Sequence, residues 1–160
     1  MNIFYLDENP TIAASFHCDR HVVKMILETT QMLSTAHHVL GIDVPEKYLY
    51  QVTHKNHPCN IWIRQSTVNY QWLAYLGISL CKEYTLRYDK IHTCQERIEA
   101  LSNCFPKTIP SGFMTPPALA MPERYKIVGY PVQSYRNYYN GEKLYFAKWK
   151  LNNKPPWIEE

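Results

Sequence analysis

Residues 16–40, FHCDRHVVKMILETTQMLSTAHHVL, contain neither proline nor glycine, and their long apolar side chains favour a helix. His17, His21, Lys24, Glu28, Gln31 and Thr35 recur at steps of four, three, four, three and four, which places them on one stripe of that helix. Val22, Val23, Met25, Ile26, Leu27, Met32 and Leu33 surround the stripe. That is too much apolar surface for a solvated face, so the pattern predicts a largely buried helix whose polar stripe meets a cleft or a low-dielectric neighbour. An imidazole, an amine and a carboxylate gathered there shift one another's proton affinities. The plainer alternative is a Lys24–Glu28 pair on an exposed edge beside core histidines, and the spacing alone leaves both open.

Outside this stretch, the 160 residues suit a single domain, residues 1–160, long enough to bury a proper core. A composition that is 46% hydrophobic and 19% charged excludes a disordered chain. The net charge of +3 permits nucleic-acid binding without requiring it. Five cysteines, odd in number and without CxxC spacing, argue against a disulfide framework and a zinc ribbon. An acidic Asp7–Glu8 pair stands where a signal peptide has its apolar core, and no apolar run reaches membrane-spanning length. The expectation is a reduced, cytoplasmic protein with no membrane segment.

Asn9-Pro10 marks a turn, with Pro10 suited to the first position of a short helix. Residues 2–6, NIFYL, read as a short strand or an extended arm. Gly41 is the expected C-cap of the long helix. Pro58, with Asn56 or His57 at its N-cap, opens a second helix over about 58–87 carrying Ile61, Trp62, Val68, Trp72, Leu73, Leu76 and Leu80. A third, amphipathic helix covers about 91–102. Five prolines make 103–122 a long irregular loop, with a helical turn expected in PALAMP. A last helix is expected over about 131–150. The predicted fold is therefore all-α, a single-domain bundle of about four helices with a long Pro-rich loop.

Three groupings carry chemistry. The stripe offers Lys24 and Glu28, the equipment of Schiff-base catalysis with a carboxylate shuttling protons, together with His17 and His21 as acid–base or phosphate contacts. The α-amine of Met1 is a second candidate nucleophile, because α-amines are intrinsically less basic than lysine and Asn2 disfavours removal of Met1. His54-Lys55-Asn56-His57 at a helix start suits an anion, or merely caps the helix. His17 and His21 at i,i+4, with Asp19, His54 or His57, are the metal-site alternative, opposed by the positive Lys24. No metal and no cofactor are assigned. Over 121–158, seven basic residues face two acidic ones among nine aromatic rings. Arg136, Lys143, Lys148, Lys150 and Trp149 are the candidate DNA contacts there.

The runs DRHVVKMILETTQML and THKNHPCNIWIR resemble the pyrimidine-dimer DNA glycosylase family, which includes phage endonuclease V and bacterial relatives. The matching positions are Asp19, Arg20 or His21, Lys24, Glu28, Gln31, His57, Pro58 and Arg64, with Trp62 displaced. The Asp-x-His of endonuclease V, followed by Glu seven residues after the His, is matched by Asp19, His21 and Glu28. The two motifs cover about a third of the chain. The resemblance implies an all-helical enzyme that extrudes a damaged or modified pyrimidine from duplex DNA, cuts its glycosidic bond through an imine, and nicks by β-elimination. It implies Glu28 as the catalytic carboxylate, with Lys24, Met1 and His21 as partners in catalysis. His17, Asp19, Gln31, His54, Lys55, His57 and Arg64 are its expected substrate contacts, the base lying between the two long helices. Endonuclease V uses the amine of a small second residue, where this chain has Asn2. Two other classes remain open at this level: a metal-dependent hydrolase of nucleotides or nucleic acid, and a non-enzymatic nucleic-acid-binding module.

Overall fold

The computed structural model describes residues 1–152 and 154–159. Six α-helices, and no strand among the described residues, make up the fold: α1 (Pro10–Phe16), α2 (Asp19–Leu40), α3 (Pro58–Ile63), α4 (Thr67–Tyr88), α5 (Gln95–Ser102) and α6 (Pro131–Glu142). The two long helices, α2 and α4, pack directly against each other, with α1 and α5 against α4. Their closest approach requires Gly77. A Cβ there would lie 2.9 Å from Thr29 Cγ2 and 3.1 Å from Ile98 Cδ1, so one hydrogen lets α2, α4 and α5 meet. The core is one cluster built around Met25, Ile26, Met32, Leu33, Trp62, Tyr70, Leu73 and Tyr135. No helix among the described residues is long and apolar enough to cross a membrane.

The expected helix starts and stops are met at several ends. Pro10 and Pro58 occupy first turns, with Asn9 and His57 accepting capping bonds from Thr11 and Cys59 amides. Gly41 ends α2 at φ +98°. Four boundaries differ, one of them the start of α5, at Gln95 rather than about 91. The 16–40 stretch is interrupted at His17–Cys18, so α2 begins at Asp19. The second predicted helix is two, because Ser66 takes extended φ/ψ and caps α4 by accepting from the Asn69 amide at 3.1 Å. The last helix stops at Glu142 rather than continuing to 150. The loop 103–122 is irregular throughout, and the expected turn in PALAMP falls just after it, as a 3₁₀ turn at Glu123–Tyr125. Cys18, Cys59, Cys81, Cys94 and Cys104 are all free thiols.

Residues 2–6 form an extended arm, not a strand, and every one of them is buried. The arm threads between distant elements. Asn2 Nδ2 donates to Ala120 O at 2.8 Å, and Arg136 Nε to Leu6 O at 2.9 Å. Phe4 adopts φ +42°, a conformation that costs an L-residue energy and persists only when surroundings enforce it. Asn2 Oδ1, accepting from the Ile3 and Phe4 amides at 2.7 and 3.1 Å, helps to enforce it.

Candidate active site

The arm, α2 and α6 enclose a cavity of about 200 Å³. Met1, Asn2 and Phe4 form one side; His21, Lys24, Met25 and Glu28 come from α2; Tyr138 and Lys143 close it at the end of α6. The cavity is thus on the face of α2 turned away from α4, not between the two long helices, which leave no room where Gly77 meets Thr29.

Glu28 is its floor. Only 8% exposed, its carboxylate must be paired to be tolerated. Oε2 accepts the Asn2 amide at 2.9 Å and lies 3.6 Å from the Met1 amine; Oε1 is 3.5 Å from Lys24 Nζ. The two amines differ in setting. The Lys24 side chain is 64% exposed and reaches the pair from solvent. The Met1 side chain is 2% exposed, its thioether receiving Asn60 Nδ2 at 3.2 Å. Asn60, completely buried, also donates to Thr53 O and His54 O, so one amide side chain locks Met1 to the loop that precedes α3. Met1's remaining exposure lies on its backbone, where the amine faces the cavity. The geometry presents a held primary amine against a held carboxylate.

His21 forms wall rather than acid. Its ring stacks on Phe4 at 4.3 Å, and Nδ1 bonds to Tyr139 Oη at 2.6 Å. That hydroxyl also accepts from the Cys18 amide at 3.2 Å, so one phenol ties the His21 ring to the start of α2. Burial lowers the His21 pKa to about 3, helped by nearby His17, Lys143, Lys24 and Arg20, and the imidazole is neutral at neutral pH. His17 lies outside the cavity, completely buried, with Nδ1 on Ala13 O at 2.7 Å and its pKa lowered to about 4 chiefly by burial.

The other sequence-predicted positions divide in two. His57 stands near the floor, its pKa lowered by burial and by the Met1 amine, while it caps α3. Lys143 lines the cavity, and Lys148 lies on an adjoining shelf with Arg20 and Phe146. Gln31, His54, Lys55 and Arg64 lie off the cavity, and Arg64 Nη2 donates to Lys55 O at 3.0 Å. Asp19 serves the scaffold: it pairs with the buried Arg87 at 3.1 Å and accepts the Lys150 amide, while its own amide donates to Lys148 O. Trp149 donates to Phe16 O at 3.0 Å. Arg136 pairs with Asp7 and lies over the Phe16 and Trp157 rings. Among the described residues, no three His, Cys, Asp or Glu side chains are grouped as metal ligands.

Sequence reasoning did not single out Asn60 or Phe4, and it took Tyr138 and Tyr139 only as base-stacking or core rings of the 121–158 segment. Their roles arise from chain segments far apart in sequence, and no local pattern marks them.

A family model for pyrimidine dimer DNA glycosylase matches residues 1–96. The chain belongs to that family. The match spans the arm, α1 to α4 and the start of α5, and so takes in Met1, His21, Lys24, Glu28 and Asn60. Tyr138 and Lys143 lie beyond it. No curated protein and no solved structure shows significant similarity to the chain.

Proposed function

We propose that this family member is a DNA glycosylase with lyase activity, acting on a damaged or modified pyrimidine, with the Met1 amine as nucleophile. The observation that carries the reading is the buried Glu28 carboxylate beside the Met1 amine and the Asn2 amide. The amine attacks C1′ of the nucleotide, the base departs with a proton, and the opened sugar remains as an imine. Glu28 then removes a proton from C2′, and the C3′–O bond breaks with its electron pair on the departing phosphate. Lys24, solvated and paired with Glu28, acts as an electrostatic neighbour rather than the attacking amine. Extruding the nucleotide is what brings C1′ to the cavity, and the exposed cations Arg20, Lys148 and Lys150 contact the strand. A DNA substrate and five free thiols fit a cytoplasmic setting.

Borohydride trapping on an abasic duplex, followed by peptide mapping of the adduct, tests this. The expected adduct sits on the Met1 amine and survives in Lys24→Gln. An adduct on Lys24 would reassign the nucleophile, and no adduct would remove the imine mechanism.

A further inference from the structure

We propose that the cavity accepts a sugar bearing a terminal phosphate, and that the enzyme excises the 5′-deoxyribose phosphate remnant at a nick. This rests on the imine chemistry above and adds a substrate class to it. Two observations lead there. At about 200 Å³, the cavity is below the roughly 300–1,000 Å³ of pockets for larger ligands, and suits one sugar unit. Its charge is also unbalanced with Met1 counted as the neutral amine that the chemistry requires: Lys24 and Lys143 flank a single carboxylate, Glu28. The neutral His21 contributes no further charge. Lys143 has no carboxylate partner among the described residues, and its ammonium lies 4.6 Å from the centroid of Tyr138, another cavity residue.

A cavity with cations in excess selects an anion. A terminal phosphate carries about −1.5 to −2 charges at pH 7, whereas each internal phosphodiester carries one, so Lys24 and Lys143 together favour the terminal group. Once it is seated, the amine condenses with the C1′ aldehyde and releases water. Glu28 takes the C2′ proton, the C3′–O3′ bond breaks, and the downstream strand leaves with a 5′-phosphate. Water then hydrolyses the unsaturated imine, freeing the phosphorylated sugar and restoring the amine. Nothing is oxidised or reduced.

The experiment uses three duplexes: one nicked with a 5′-deoxyribose phosphate, the same nick with an unphosphorylated terminal sugar, and an uncut abasic duplex. The phosphorylated end is expected to be excised roughly 10- to 100-fold better in kcat/KM than the unphosphorylated one, the range of a hydrogen bond to a charged group. Lys143→Gln brings that ratio near one, and Lys143→Arg keeps it. Equal rates on both ends, with the abasic duplex still trapped by borohydride, would overturn the phosphate site and leave the imine reading intact. No trapping on any duplex would overturn both.

Discussion

The floor and the rim of the cavity are built on opposite electrostatic terms. On the floor every charge has a counterpart: Glu28 is shared by the Asn2 amide, the Met1 amine and Lys24. On the rim, Arg20, Lys143 and Lys148 form no salt bridge among the described residues, and Arg20 lies instead over the Phe146 ring at 4.9 Å. Elsewhere Arg87 pairs with Asp19 and Glu83, Arg124 with Glu142, and Arg136 with Asp7, while Arg64 and Arg97 donate to the carbonyls of Lys55 and Lys47. Cations left unmatched around one opening are available to a polyanion, whereas a fully matched floor is preorganised for chemistry.

The contrast breaks most sharply at Glu28. Glu28→Gln keeps the shape of the floor and removes its base, so turnover on an abasic duplex should fall by about 10²- to 10⁴-fold. Duplex affinity, a property of the rim, should change only a few-fold. Single-turnover incision alongside a binding titration would show it, and parallel losses in both would erase the distinction.

The next effect concerns the wall behind the floor. His17 and His21 are neutral when folded, with pKa values of about 4 and about 3, against 6.5 for a free imidazole. The unfolded chain therefore binds more protons below pH 6.5, so stability is fully present above that value and is lost as pH falls toward 4 and then 3. Melting at pH 7.5 and 4.5 should show a lower Tm at the acid value, and His17→Phe should make the fall shallower. An unchanged slope in that variant would mean His17 is not buried neutral.

The smallest effect belongs to the rim. Lys148→Gln should leave the rate at saturation intact and lower the slope of log affinity against log salt by about one. An unchanged slope would detach the shelf from the strand.

How much of this the sequence discloses follows from the range of each interaction. The stripe at steps of three and four put Lys24 and Glu28 side by side, and Pro10, Gly41 and Pro58 announced their helix ends. His17 shares the spacing but not the helix, because α2 starts two residues later. The break at residues 64–66 was masked by apolar residues that keep helical spacing on both sides, Ile61 and Trp62 before it and Val68 and Trp72 after. The aromatic run after Glu142 concealed the end of α6 in the same way. The cavity was not legible. Its walls join residue 2 to residue 120 and residue 21 to residue 139, and pairings of that span follow from the packed fold rather than from any local pattern.

The buried arm has a further consequence, for biosynthesis. Residues 1–6 are made well before Ala120, Tyr135, Arg136 and Tyr139, which complete their resting place. The arm that carries the amine is held on all sides beside Glu28 only after residue 139 has been made. An unfinished or C-terminally clipped chain would therefore carry Met1 and Glu28 without the cavity that joins them, and a cell would be spared a loose reactive amine during translation.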